Sequence, residues 1–186
     1  MAVYPGNLRP VLLQVLGDDH WARSIEKPRG RYLFEPLRNP AVMRRAIGAL
    51  WEWDAANTVC LIHGDAHYGN MYIDRDGAPG FVDWQMAGLG HWSFDVAYFI
   101  AGALTPSDRR ANERDLLAHY LKRLAEYGGR PPSFDDAWEG YRRHVVHGLF
   151  HTANADQMYP EETNCAVIER YSVATQDLDA LGLLLS

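Results

Sequence analysis

Residues 61–85 read LIHGDAHYGNMYIDRDGAPGFVDWQ, and no other stretch limits the fold of this chain so much. Met71 to Ile73 and Phe81-Val82 are short apolar runs on either side of Asp74-Arg75-Asp76-Gly77. That tetrapeptide reads as a tight turn with glycine where positive φ is needed, so the spacing predicts a hairpin. Val59 to Ile62 is a further apolar run that enters a loop, most simply a buried strand end. Polar groups mark the ends of these runs: Asp65 after Ile62, Asn70 before Met71, and Asp83 after Val82.

Everything around this stretch reads as helix. Leu8, Val11, Leu12, Val15 and Leu16 recur at helical spacing and predict a first helix over about 8–23. After a turn-rich stretch through Pro28 and Gly30, Asn39 caps a helix with Pro40 at its first position, running to about Ala56. Ser93 to Leu104 is helical, and Ser107 opens another helix closed by Gly128-Gly129. Ser133 with Asp136 resembles a capping box for a helix to about Ala155, and a last helix runs from near Pro160 to Leu185. The expected fold class is mainly α (α+β): helices around a short hairpin, in one domain over residues 1–186.

Net charge enters as an argument about partners. With 24 acidic against 18 basic residues, the balance of −6 disfavours nucleic acid or an anionic membrane as the main partner. No apolar run approaches the roughly 18 residues of a membrane span, and the N-terminus lacks a signal-peptide pattern. Cys60 and Cys165 have no motif spacing, which fits a reducing cytoplasm without a disulfide framework.

Asp65, Asn70 and Asp83 are the side chains that a phosphoryl-transfer site requires. One carboxylate accepts or orients the proton of an attacking hydroxyl, and oxygen ligands hold Mg²⁺. Asn70 follows Asp65 by five residues, the separation found in the H-R-D-x-x-x-x-N loop of kinases. Taken singly, Asp65 has the plainer reading of a turn-capping Asp and Asn70 that of an Asx turn. An ionised Asp83 after two apolar strand residues costs free energy unless a cation or donors meet it, and a metal satisfies that need.

HGDAHYGN followed by FVDWQ resembles the aminoglycoside phosphotransferase and choline kinase group of small-molecule kinases, which share the protein-kinase-like fold. WQMAGLGHWSFDVAYFIAGAL extends the resemblance, nearest to its ecdysteroid-kinase-like branch. The resemblance implies ATP as donor, a small-molecule hydroxyl as acceptor, and Asp65 as catalytic base. It implies that Asn70 and Asp83 bind the Mg²⁺ that bridges the nucleotide phosphates. His63 would hold the loop by packing and hydrogen bonding, and Asp95 would brace it through backbone amides. His67 stands close enough in sequence to help neutralise a transferring phosphate, or is a structural histidine.

Kinases of this fold also carry an N-terminal lobe with a glycine-rich loop and a strand-borne lysine. This sequence has no G-x-G-x-x-G, and Lys27 and Lys122 stand outside any strand pattern. The chain therefore reads as a C-terminal lobe alone, either because the reading frame is truncated or because a separate chain supplies the nucleotide lobe. Other readings are a non-catalytic kinase-fold module, or a dinuclear metallophosphatase begun by Asp65-Ala66-His67, whose further ligands would have to come from later strand ends. His144, His147 and His151 share a helical face, as a polar or solvent-facing stripe or as metal ligands lacking a fourth partner. Trp84, Trp92, Tyr68 and Tyr98 crowd the same region and suit either core packing or a choline-like acceptor.

Overall fold

A computed structural model describes Tyr4 and residues 9–57, 59–153 and 158–186. Instead of one helix over 8–23 there are two, α1 (Arg9–Val15) and α2 (Asp18–Ile25); Leu8 lies outside the described residues. The break falls at Gly17, whose extended backbone (φ −64°, ψ 146°) starts α2, and Asp18 and Asp19 in the first turn favour a new helix N-terminus. Two 3₁₀ segments, Pro28–Tyr32 and Glu35–Arg38, lead to α3 (Pro40–Ala56). Asn39 caps α3 as expected: its side-chain oxygen accepts the Ala41 N–H at 2.9 Å.

The β-structure is two nested antiparallel pairs. The outer pair joins β1 (Cys60–Ile62) to β4 (Gly88–Gly90), and the inner hairpin joins β2 (Met71–Ile73) to β3 (Pro79–Phe81). In the inner turn the Asp74 Oδ1 accepts from Asp76 N at 2.9 Å and Ala78 N at 2.8 Å, with Gly77 at φ +82°. β1 is only half the buried strand end expected of it. Ile62 is buried, but Leu61 points outward and is 61 % exposed.

The remaining helices are α4 (Ser93–Ala103), α5 (Pro106–Glu126), α6 (Phe134–His144), α7 (Glu161–Asp177) and α8 (Ala180–Leu185). Thr105 caps α5 just ahead of the expected Ser107 start. The Ser133 Oγ accepts Asp136 N–H at 3.1 Å and donates to its carboxylate at 2.6 Å, closing the capping box of α6. The expected continuation to Ala155 instead becomes a 3₁₀ segment, Val145–Ala153; Ala155 lies outside the described residues. Val145 to Leu149 are all buried, so this segment faces the core on every side rather than along one stripe. The last helix breaks at Leu178-Asp179, where Asp179 adopts φ +50°.

The core lies among α3, α4, α6, α7 and the 3₁₀ segment, with Trp21, Ile47, Leu50, Tyr141, Leu149 and Tyr171 essentially inaccessible to solvent. Buried charge is paired. Arg109 meets Glu113 at 2.6 Å and also Asp177, while the Tyr141 hydroxyl donates to Glu113 at 3.0 Å. Among the described residues no helix is long and apolar enough to cross a membrane.

Candidate active site

The loop His63–Asn70 hangs between β1 and the inner hairpin, and hydrogen bonds fix both its ends. Asp95, in the first turn of α4, accepts His63 N–H at 2.6 Å and Gly64 N–H at 3.0 Å. Burial raises the Asp95 carboxyl above its ordinary range, and these two amides partly oppose that rise. The buried His63 ring accepts Asp65 N–H on Nδ1 at 3.2 Å and meets the Val82 carbonyl through Nε2 at 2.9 Å. A carbonyl only accepts, so this pair of partners selects the tautomer with hydrogen on Nε2. His63 thus ties the Asp65 segment to the end of β3, packed against Trp84 and Phe81 at 4.5 and 5.4 Å between ring centres.

Asp65, half-buried, projects from this loop beside two neighbours. The Asn70 side-chain amide donates to the Asp65 backbone carbonyl at 3.0 Å and to its Oδ2 at 3.3 Å. The His67 Nε2 lies 3.7 Å from the same Oδ2. Because His67 Nδ1 accepts Gly69 N–H at 3.0 Å, Nε2 carries the hydrogen that faces Asp65. With its nitrogen so committed, Asn70 keeps its side-chain oxygen for another partner. The backbone of Asn70 in turn accepts Val82 N–H at 2.8 Å, binding the loop to the hairpin a second time.

Asp83 follows Val82 directly, so the two ties at Val82 bring it to the same edge as Asp65 and Asn70. It is exposed, not buried, and its Oδ2 accepts from the Gln85 side-chain amide at 3.3 Å. Its backbone is left-handed (φ 61°, ψ 58°), which costs a non-glycine residue about 1 kcal/mol or more. Its chain neighbours Val82 and Trp84 expose large apolar side chains, as do Leu61 on β1 and Ile73 on β2.

A cavity of about 270 Å³ opens on the other flank of the loop, lined by His67, Tyr68, Tyr98, His151, Tyr159 and Arg170 among others. The Arg170 guanidinium is tied to the Gly102 carbonyl at 2.6 Å, leaving a wall that is largely aromatic. Tyr98 belongs to the core while Tyr68 is exposed, and Trp92 stacks on Tyr120 at 5.3 Å.

The expected histidine stripe does not form one surface. His147 approaches the Tyr4 hydroxyl at 3.4 Å, His151 meets the Tyr98 hydroxyl at 2.6 Å, and His144 contacts Asp54 at 3.0 Å. His144 and His147 are buried, and His151 is half-buried at the cavity wall. Burial pushes His147 down to about 3 and His151 down to about 4. Below their unfolded value near 6.5 the unfolded chain takes up protons that the native state refuses, so stability falls as pH drops from about 6.5 toward 4. Moving from pH 7 to pH 5 is expected to cost about 2 kcal/mol for each of the two, read as a lower urea midpoint. His151→Gln should remove about half of that loss, and an acid sensitivity unchanged in this variant would contradict the assignment.

Nested hairpins set among helices, with this polar loop at their edge, define the mainly α architecture of a kinase-like C-terminal lobe. The sequence profile of the phosphotransferase enzyme family matches residues 16–154, well over half of the chain, and the chain belongs to that family. A Caenorhabditis elegans protein described as an uncharacterized kinase-like protein is 26 % identical over 110 residues, or 55 % of this chain. The match spans 29 % of that relative's length. No solved structure gives a significant match.

Proposed function

We propose that this chain is the catalytic and acceptor lobe of a small-molecule kinase that moves the γ-phosphoryl group of ATP to a substrate hydroxyl. The strongest support is the hydrogen-bonded loop that gathers Asp65, Asn70 and, through Val82, Asp83 at one edge. Asp65 takes the hydroxyl proton on the carboxylate oxygen that Asn70 and His67 leave free. The acceptor oxygen then bonds to the γ-phosphorus in line, the bond from that phosphorus to the β–γ bridging oxygen breaks, and ADP leaves. Asn70 and Asp83 supply only oxygen donors, a set that fits a hard cation such as Mg²⁺. Mg²⁺ held there offsets phosphate charge as it spreads over the transferring group. His67, with its Nε2–H toward Asp65, keeps that carboxylate aimed at the acceptor.

The aromatic cavity beside His67 and Tyr68 takes the acceptor. Among the described residues its charged lining is Arg170 rather than Asp or Glu, so a neutral, largely apolar alcohol suits it better than a polycation. The exposed Val82 and Trp84, next to Asp83 in the chain, suit contact with an adenine ring and a second lobe. That lobe, carrying the glycine-rich loop and lysine, comes from further residues of the same polypeptide or from another chain. Residues 1–186 by themselves are expected to bind ATP weakly and turn it over slowly. Joining a nucleotide lobe, in cis or in trans, should restore acceptor-dependent ADP release across a panel of neutral alcohols. Efficient turnover by the isolated chain would remove the need for a second lobe. A lobe-complete protein that binds ATP but phosphorylates no alcohol would make the fold a binding module.

A further inference from the structure

The cavity beside the catalytic loop borders His67 and Tyr68 on one part of its wall and the start of α7 on another. Asn164, in the first turn of α7, is a wall residue with only 1 % of its surface exposed. Helical side chains lean back toward the N-terminus, and its Nδ2 donates to the Tyr159 carbonyl, just ahead of the helix, at 3.3 Å. A carbonyl only accepts, so reversing the amide would set two oxygens against each other, and Nδ2 must face Tyr159. Oδ1 therefore points away from that carbonyl, and among the described residues it makes no hydrogen bond. A buried acceptor left unmet is costly, and it marks a place where a bound molecule or a water belongs.

We propose that Asn164 is a specificity residue of this cavity, its Oδ1 taking a hydrogen bond from a second, neutral donor on the acceptor, remote from the hydroxyl presented to Asp65. The inference rests on the reading of the cavity as the acceptor site. It narrows that acceptor from a neutral alcohol to a bifunctional one, a diol or an amido alcohol with an apolar middle. Neighbouring polar groups are already engaged. The Arg170 guanidinium donates to the Gly102 and Ala103 carbonyls at 2.6 and 3.4 Å, and the Tyr171 hydroxyl donates to the Tyr98 carbonyl at 2.7 Å. The Tyr98 hydroxyl meets His151 Nε2 at 2.6 Å. Burial holds the His151 ring down at about 4, so it is uncharged at neutral pH, and an ammonium in the cavity would meet the Arg170 charge unfavourably. That leaves a hydroxyl or an amide N–H as the donor. Tyr98 stacks on His151 and Tyr171 at 5.8 and 5.6 Å between ring centres, so the wall is ordered before anything binds. A buried polar group that the substrate must satisfy discriminates more sharply than an apolar wall, because an analogue without the donor leaves that group unpaired.

The test measures binding of aryl alkanols of stepped chain length to residues 1–186, each with a para hydroxyl, carboxamide, methoxy or methyl group. The first two groups donate, methoxy only accepts, and methyl does neither. For at least one chain length a donating form should bind about ten-fold tighter or more than the methoxy and methyl forms, and should shift the NMR signals of the Asn164 side-chain amide. Asn164→Leu, similar in size but apolar, should erase or reverse that preference. Equal affinity of donating and non-donating forms at every length overturns the proposal, and this comparison needs the wild type alone. So does a preference that Asn164→Leu leaves unchanged, since an ordered water would then be the only partner of Oδ1. The kinase reading fails separately. Binding that depends on Asn164, by alcohols that the lobe-complete enzyme never phosphorylates, would end that reading and leave the subsite standing. Equal kcat/KM for all forms of a phosphorylated alcohol would do the reverse.

Discussion

Asp65→Asn is expected to lower turnover of the lobe-complete enzyme by about 10²–10⁴-fold, the usual contribution of a positioned general base. The substitution isolates basicity. An asparagine fills the same volume and can still accept from the Asn70 amide, now 3.3 Å from Oδ2. What it loses is the capacity to take a proton. Since Asp65 is half-buried and carries none of the ties that hold the loop to α4 through its side chain, the urea midpoint should stay within about 0.5 kcal/mol of wild type. Affinity for ATP should also persist, because the proposed nucleotide contacts lie at Asn70 and Asp83. A variant that turns over at near-normal rate would remove Asp65 from the chemistry, and one that unfolds would show that its carboxylate is structural.

The parts of this fold that could be read from sequence are those built by neighbours along the chain. The Asn39–Pro40 cap, the Ser133–Asp136 box and the Asp74–Gly77 turn each close within four residues, so residue type alone specifies them. The pairing of β1 with β4 could not be read in the same way. Gly88-Leu89-Gly90 has little strand propensity, and it is a strand only because Cys60 to Ile62 lies alongside it. Helix breaks at Gly17 and Asp179 interrupt stretches whose apolar spacing continues without pause.

The candidate site divides similarly. Its residue types and spacing were visible in HGDAHYGN and FVDWQ, which is why Asp65, Asn70 and Asp83 could be singled out. The exposure of Asp83 was not, because it depends on how far the inner hairpin stands from the helices rather than on the two apolar residues before it. The meeting of Asp54 with His91 and His144 could not be read, as the three come from separate elements far apart in the chain. The periodicity of His144, His147 and His151 pointed to a shared face. The 3₁₀ segment sends each ring to a different partner.

Gly64→Ala should be the most damaging change that leaves every polar side chain of the loop in place. Gly64 holds φ +82°, where an alanine costs about 1–2 kcal/mol, and a Cβ there would come within 2.3 Å of the Met86 carbonyl oxygen. That carbonyl belongs to the backbone following Asp83, so no side-chain rotation can relieve the clash; the two segments must separate. Separation pulls on the Gly64 N–H bond to Asp95 and on the His63 bond to Val82, which together hold Asp65 and Asp83 to one edge. Misplacing reacting groups by about 1 Å costs about 10² in rate, so turnover should fall at least that far, with stability lower by about 2 kcal/mol or more. Gly77 separates the two causes, because it has the same φ of +82° but nothing within 4 Å of its would-be Cβ. Gly77→Ala should therefore show only the backbone cost in urea unfolding and retain turnover. If both variants lost stability and rate equally, the close approach at Met86 would have no special part in aligning the loop.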